Sequence, residues 1–465
     1  MPQYIRLFVL FLLLAAPPPM PAQTPASQLA LNHTAPAPAN IATAAAPATL
    51  LHPVVGLRLD QAIQYALEHN KGLQADRQLI AQAAARMRQA ALKANPTLAL
   101  SGMVQPDDFA QNGFSIGLSV PMELAGRRVR RMDVAAREYE MMKFELAERE
   151  RRLAAQVRMK YGEVVETARN LALTEQTLDL NQRNYAIVRA RVSEGASAPL
   201  EQSLLQVEIG RTETQRISWH ARGGALVEEL KGILGMDATE ALQVRDEFSE
   251  AVIRTSGGAA PLNETELVAR AFRARPDLLA ARAAETVATA LIALARAEGR
   301  VDASLFGEYA LDRAGFDQLG LNAKTGRPEP IFTNNYMIRG GLNITLPTRD
   351  KNQGNIEAAF AAGEAARLRR EFIESLIRRE LAATLTRYHG AASVLKTYDT
   401  ELLAPSHNNL RIIRASYDLG HVRLSDVLAE QRRLVEVQLG HNAAMREFFS
   451  AHAELESIVG APFRD

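Results

Sequence analysis

The sequence predicts a mixed membrane β-barrel and long α-helical barrel, built from one plan of strands and helices written twice. Three observations carry this. Short segments alternate apolar with small or polar residues; two long runs are helical in pattern; and matching landmarks recur, as at Pro121 and Pro347 or at Gly195 and Gly420. A strand with one apolar and one polar face suits a sheet between lipid and water. A helical run of about 68 residues reaches roughly 100 Å at 1.5 Å per residue and needs a bundled or coiled partner.

The N-terminus comes first. Arg6 precedes the apolar run Leu7 to Ala16, and PPPMPAQTPAS follows. This reads as a secretory signal peptide over 1–26, too short to span a bilayer. Cleavage after Ala22 is the alternative, although it leaves Met20 where a smaller residue is preferred. Residues 27–56 are rich in Ala, Pro and Thr and read as a spacer. The two copies then occupy 57–262 and 263–465. The chain has no cysteine, so a disulfide framework and thiol chemistry are excluded. Its formal charge of +1 gives no bias toward nucleic acid. No later segment has 18 consecutive apolar residues, which argues against transmembrane helices and leaves a soluble exported protein or an outer-membrane barrel.

Each copy opens with two short helices. Asp60 and Asn263 are suited to cap the first of each pair, Ala66 and Leu73 match Ala271 and Leu278, and Asn70 and Arg275-Pro276 mark the breaks. Strands follow near 97–104 and 114–120, then near 301–311 and 336–346, the second pair joined by a longer loop over 312–335. Pro121 and Pro347 end the strands. Long helices run from Ala125 to Val192 and from Asn352 to Leu419; Pro405 should interrupt the second. Leu153, Val157, Tyr161, Val164 and Leu171 approximate an apolar stripe, echoed by Leu376, Leu385, Tyr388, Leu395 and Leu402. Each long helix ends at a glycine, Gly195 or Gly420, and another helix returns, the first starting at Pro199.

Four strands cannot close a useful barrel, and open strand edges cannot face lipid, so several chains are required. Three would supply twelve strands.

The chain resembles outer membrane efflux proteins of the TolC family over about 57–460. The resemblance rests on the duplicated plan, on GLSVPMELAGRRVRR and GLNITLPTRDKNQGNIEAA at the strand ends, and on the tips around Gly195 and Tyr417–Leu428. MELAGRRVRR further resembles the outer-membrane component of heavy-metal cation efflux systems of the resistance-nodulation-division type. The resemblance implies a homotrimer with a twelve-strand barrel in outer-membrane lipid and a long helical barrel through the periplasm. It implies a passive duct, opened by a periplasmic adaptor and coupled to an inner-membrane pump. A mixed belt would draw on 236–262 and the segment beyond about Phe448. Export of organic toxicants and type I protein secretion stay open as alternatives, as does a non-channel periplasmic coiled-coil protein.

Asp426 matches a position where relatives can carry an aspartate at the closed periplasmic entrance. Threefold repetition would make a carboxylate ring that attracts cations. Its other reading is a helix-start acid favoured by the helix dipole. Where some relatives carry a second aspartate, this chain has Ala429, with the adjacent Glu430 turned about 100° around the helix. Arg423 is a candidate to pair with Asp426 or a neighbouring helix, and Tyr417 to supply an inter-helix hydrogen bond in the same gate. Glu194, Gly195, Ala196, Leu419, Gly420 and His421 are the candidate adaptor-facing tips. The nine histidines form no HxH or HExxH pattern and no Met-rich run occurs, so neither a metal site nor a cofactor is expected. No nucleophile–base pair or phosphate loop is evident, so the chain does not read as an enzyme. The arginines within 127–131 read as lumen pairing or interfacial charge.

Overall fold

The computed structural model describes residues 56–104, 112–246, 248 and 263–460. The expected signal peptide and nearly all of the spacer lie outside these residues.

The duplication is visible in backbone detail. Helices α1 (Leu59–His69) and α2 (Lys71–Ala90) meet at Asn70, whose φ and ψ are −61° and 117°. Their counterparts α5 (Glu264–Ala274) and α6 (Pro276–Glu298) meet at Arg275, at −68° and 119°. Asn70 caps α2 by accepting from Leu73 N at 3.0 Å. Arg275 instead precedes a proline, which has no N–H to satisfy. Ala66 and Ala271 are both fully buried, as are Leu73 and Leu278.

Asn263 caps α5, accepting from Thr265 N at 3.1 Å. Asp60 does not cap α1. The chain leaves its extended path at Leu57, which bridges Val244 in parallel, so the cap position falls on Arg58. The Gln61 side chain accepts from the Arg58 N–H at 3.1 Å. Asp60 stands in the first turn, where the helix dipole favours a carboxylate.

Strands β1 (Thr97–Val104), β2 (Asn112–Pro121), β3 (Asp302–Leu321) and β4 (Pro328–Thr345) form an antiparallel meander in chain order. The register places Leu100, Ile116, Tyr309 and Ile338 in one row across all four strands, and joins Val120, Leu305 and Leu342 in another. The alternate face carries Ser101, Ser115, Gly117, Glu308, Arg339 and Asn343. Ser101 and Ser115 are hydrogen-bonded at 2.8 Å. The apolar face stays open to its surroundings: Leu98 is 62% exposed and Ile338 85%.

The expected loop over 312–335 is a correction. Both strands continue through it, and the turn is confined to 322–327, closed by Asn322 N to Arg327 O at 3.0 Å with Gly326 at φ +67°. The described β2–β3 pairing ends at Asn112–Arg313, whereas β3 and β4 stay paired up to the turn. Neither face of this β3–β4 ribbon must be buried there, so no alternation is imposed, and a register shift between Phe316 and Leu319 breaks what alternation remains.

The long helix α3 spans Arg127–Ser193 and α4 (Pro199–Leu234) returns along it. The second copy runs α7 (Gln353–Thr397), a π-helical turn (Tyr398–Leu402), α8 (Leu403–Asp418) and the returning α9 (Leu424–Val459). The π turn is the expected effect of Pro405. Its ring cannot donate to residue 401 and crowds the preceding turn, which widens. Two contacts brace the widened turn: the Tyr398 ring lies against Gly440, where no Cβ intervenes, and His441 Nε2 meets Asp399 Oδ1 at 2.8 Å.

One helix departs from expectation. By length and composition α6 is apolar enough to cross a membrane, yet its most apolar window is one-third buried in this fold and it packs along α3 and α7. Its alanines allow close helix approach.

The main core lies midway along α3 and α7 and toward the C-terminal ends of α4 and α9, where Val157, Tyr161, Leu230, Leu381, Phe448 and Leu455 pack together. The Tyr161 hydroxyl lies 3.0 Å from Leu57 O and 2.5 Å from Arg245 O, pinning the segment after α4 against α3. Arg169 adds a paired contact to Asp246 there. The two expected belt contributors are both in this region; residues 249–262 lie outside the described ones.

Candidate functional site

The two helical tips are built the same way. After α3, Gly195 N donates to Val192 O at 3.1 Å and Ala196 N to Arg191 O at 2.8 Å. After α8, Gly420 N donates to Tyr417 O at 2.8 Å and His421 N to Ser416 O at 2.9 Å. Both are Schellman motifs, which satisfy the last helical carbonyls and require a left-handed residue. Gly195 and Gly420 supply it, at φ +75° and +78°. Glu194, Ala196, Leu419 and His421 are exposed around them, with Leu419 73% exposed.

A small core supports the tips. Val188, Leu205, Leu410, Leu424, Val427 and Leu428 are buried together, with Tyr417 packed against them. The Tyr417 hydroxyl donates to Glu201 Oε2 at 3.2 Å, joining α8 to the first turn of α4. Burial and the Glu201 carboxylate both push the Tyr417 phenol up, so it stays neutral and donating.

Asp426 is exposed and sits at the third position of α9. Its Oδ2 accepts from the Arg423 main-chain N–H at 3.0 Å. The helix-start reading therefore describes its contacts within one chain. The Arg423 contact is through the backbone; among the described residues its guanidinium makes no ion pair with Asp426. Glu430 faces inward and is buried, paired with Arg433 at 2.8 Å.

Sequence reasoning missed a buried polar layer above the tip. Gln431 Nε2 donates to Asn181 Oδ1 at 2.7 Å, and Arg432 pairs with Glu208 at 2.8 Å through Nε. Asn181 is completely buried. This amide contact between α3 and α9 favours one register, because a shift would strand the Gln431 donor and the Asn181 acceptor; Gln431 Oε1 is itself buried without a partner among the described residues. Near it, Arg414 has a buried nitrogen without a partner among the described residues, and burial lowers its pKa. Counted from Gly195 and Gly420, Gln206 stands at the position equivalent to Gln431, but equivalent residues need not share a role.

Three of the arginines in 127–131 sit at the junction of strands and helices and are engaged there. Arg127 donates to Glu298 O at 3.0 Å and Arg300 O at 2.7 Å, and pairs with Asp302 at 2.6 Å. Arg128 and Arg131 donate to Ala91 O and Ala90 O at 2.8 and 3.2 Å. They cap the ends of α6 and α2, whose last carbonyls lack helical partners and carry the negative end of the dipole. Three guanidiniums thus hold the strand–helix junction together.

Among the described residues no group of three or more His, Cys, Asp or Glu side chains is arranged to hold a metal ion. The surface clefts are open.

Comparison with known proteins agrees with this architecture. The family model described as outer membrane efflux protein matches residues 62–217 and 267–461. The cobalt-zinc-cadmium resistance protein CzcC of Cupriavidus metallidurans is 22% identical over 406 residues, covering 87% of this chain and 90% of the relative. The outer membrane protein OprJ of Pseudomonas aeruginosa is 27% identical over 408 residues, covering 80% and 78%. Among solved structures, CusC superposes with a TM-score of 0.70 at 18% identity, covering 88% of this chain and 93% of that one. The open state of the Neisseria gonorrhoeae MtrE outer membrane channel gives 0.66 at 18%, covering 90% and 94%. The chain belongs to the outer membrane efflux protein family, and it is accordingly an outer-membrane efflux duct with a long helical extension rather than an enzyme.

Proposed function

We propose that three copies of the chain close a twelve-strand barrel and a continuous helical tunnel, opened by a periplasmic adaptor at the tips and driven by an inner-membrane pump. The observation that carries this is the sheet: a four-strand meander with an apolar outer row, a polar inner row and unpaired strands β1 and β4 at its edges. Bare edges in lipid leave backbone groups unsatisfied, so β1 of one copy must meet β4 of the next. In that assembly the 1–26 signal peptide is removed, and the copies 57–262 and 263–465 each supply two strands and a helical hairpin. Asp426 forms the ring at the constriction, Tyr417 and Arg423 hold the gate, and Glu194, Gly195, Ala196, Leu419, Gly420 and His421 meet the adaptor.

The proposed cargo is heavy-metal cations. What supports it is the likeness to CzcC across nearly the whole of both chains, joined to the MELAGRRVRR segment. A duct needs no tight metal site, because strong binding would slow release. Deleting the gene in a strain without redundant ducts should raise sensitivity to cobalt, zinc and cadmium more than to organic toxicants. The reverse pattern would assign it to organic export. The assembly is tested with cysteines placed on β1 and β4 of this cysteine-free chain: a ladder of cross-linked products ending at three supports the trimer, and one ending at two refutes it.

A further inference from the structure

The apolar row of the sheet continues past the strand ends. Met122 N donates to Ala303 O at 2.9 Å, extending the register, and Met122, Val301 and Leu346 all remain exposed. Beside Val301 lies a recess of about 530 Å³ lined by Leu124, Gly299, Arg300, Val301, Pro347 and Lys351. Arg300 and Lys351 are exposed, and neither side chain has an ion-pair partner among the described residues. The carboxylates nearby are engaged elsewhere. Asp302 pairs with Arg127 at 2.6 Å, Glu123 pairs with Arg131 at 2.8 Å, and Asp350 accepts from Asn352 N at 2.8 Å. Glu298 lies 3.5 Å from Asn352 Nδ2.

Two uncommitted cations therefore flank an apolar recess on the lipid-facing side, at the level where strands give way to helices. We propose that this recess binds an anionic phospholipid of the periplasmic leaflet. Arg300 and Lys351 take the phosphate, and Leu124, Val301 and Pro347 receive the first carbons of the chains. A phosphodiester carries one negative charge on two non-bridging oxygens, so each cation can donate to one of them, and an apolar lining excludes a fully hydrated ion. The inference rests on reading the apolar row as lipid-facing.

The test is native mass spectrometry of the full-length protein, folded in detergent, with dioleoyl phosphatidylglycerol or dioleoyl phosphatidylcholine added. Phosphatidylglycerol should be retained in preference, and the double variant R300Q/K351Q should lose about tenfold in its retention. The R300K/K351R variant keeps both charges and should retain it. Equal retention of the two lipids, or no loss in R300Q/K351Q with unchanged circular dichroism, overturns the site. Displacement of the lipid by millimolar inorganic phosphate would mark a free-anion site and overturn it too. Insertion of the protein into phosphatidylcholine vesicles, scored by protease protection of the sheet, tests the lipid-facing reading alone. Protection without headgroup preference sinks only the proposed site.

Discussion

The Tyr417 hydroxyl reaches across 216 residues of sequence to Glu201 Oε2, tying the outgoing helix of the second copy to the returning helix of the first. Tyr417→Phe removes the donor and leaves the carboxylate to water, costing about 1–2 kcal/mol at a half-buried site. Single-channel recordings in planar bilayers should show larger conductance for the variant. Because the folded phenol is pushed above the ordinary tyrosine range, its contribution is fully present below about pH 10 and disappears as pH rises through the higher folded value. Conductance should thus be flat through neutral pH and rise only in strong alkali. An unchanged Y417F trace would remove Tyr417 from the gate.

Asp426 has two separable properties, a charge and a cap. Asp426→Asn keeps an acceptor for the Arg423 N–H and removes the charge; Asp426→Ala removes both. If three carboxylates ring the entrance, both variants should lose cation selectivity, read as a reversal potential in a salt gradient, and only the alanine should also lower stability, by about 1 kcal/mol. Selectivity retained in both would leave Asp426 with its capping contact alone.

Arg275 is 3% exposed and meets Asp277 and Glu380, each at 2.6 Å, near the α5–α6 break. Burial opposes the Asp277 charge, but the Arg275 guanidinium outweighs it and holds the carboxyl below the usual range. Its stabilisation is complete above the unfolded carboxylate pKa of about 4 and is lost as pH falls through the depressed folded value. Asp277→Asn leaves a buried cation half-paired and should cost about 3 kcal/mol, read by thermal unfolding. Equal melting of variant and wild type at neutral pH would contradict this.

Pro405→Ala restores the missing donor. The 398–402 turn should then tighten toward an α-helix, with a gain of about 1–3 kcal/mol and slower amide exchange across that turn. Exchange as fast as in wild type would mean that Tyr398 against Gly440, rather than the proline, sets the widened turn.

Much of this fold was written in local patterns. Pro276, Gly195 and Gly420 are residues whose backbone limits act within a few positions, so they announced their helix ends. Pro405 announced its interruption in the same way. The β3–β4 ribbon did not, because beyond Arg313 neither face is required to be apolar and the alternation has no cause. Tyr417 was legible as an inter-helix donor, but its partner Glu201 was not, since tertiary pairing over 216 residues leaves no periodic trace. Arg127, Arg128 and Arg131 were legible as paired or interfacial charge, but not as caps of α6 and α2, because the main-chain carbonyls they reach carry no sequence mark, even though Arg127 and Arg131 also pair with Asp302 and Glu123.

The open edges of the sheet also have a kinetic side. If three copies close the barrel as proposed, a lone copy holds β1 and β4 bare, and completing the wall is a step of higher molecularity than folding the helices. Its rate depends on how many copies meet at one patch of membrane, and dilution should stall the chain with its hairpins formed and its wall unfinished. Scarcity, not misfolding, would then limit the yield of finished pores.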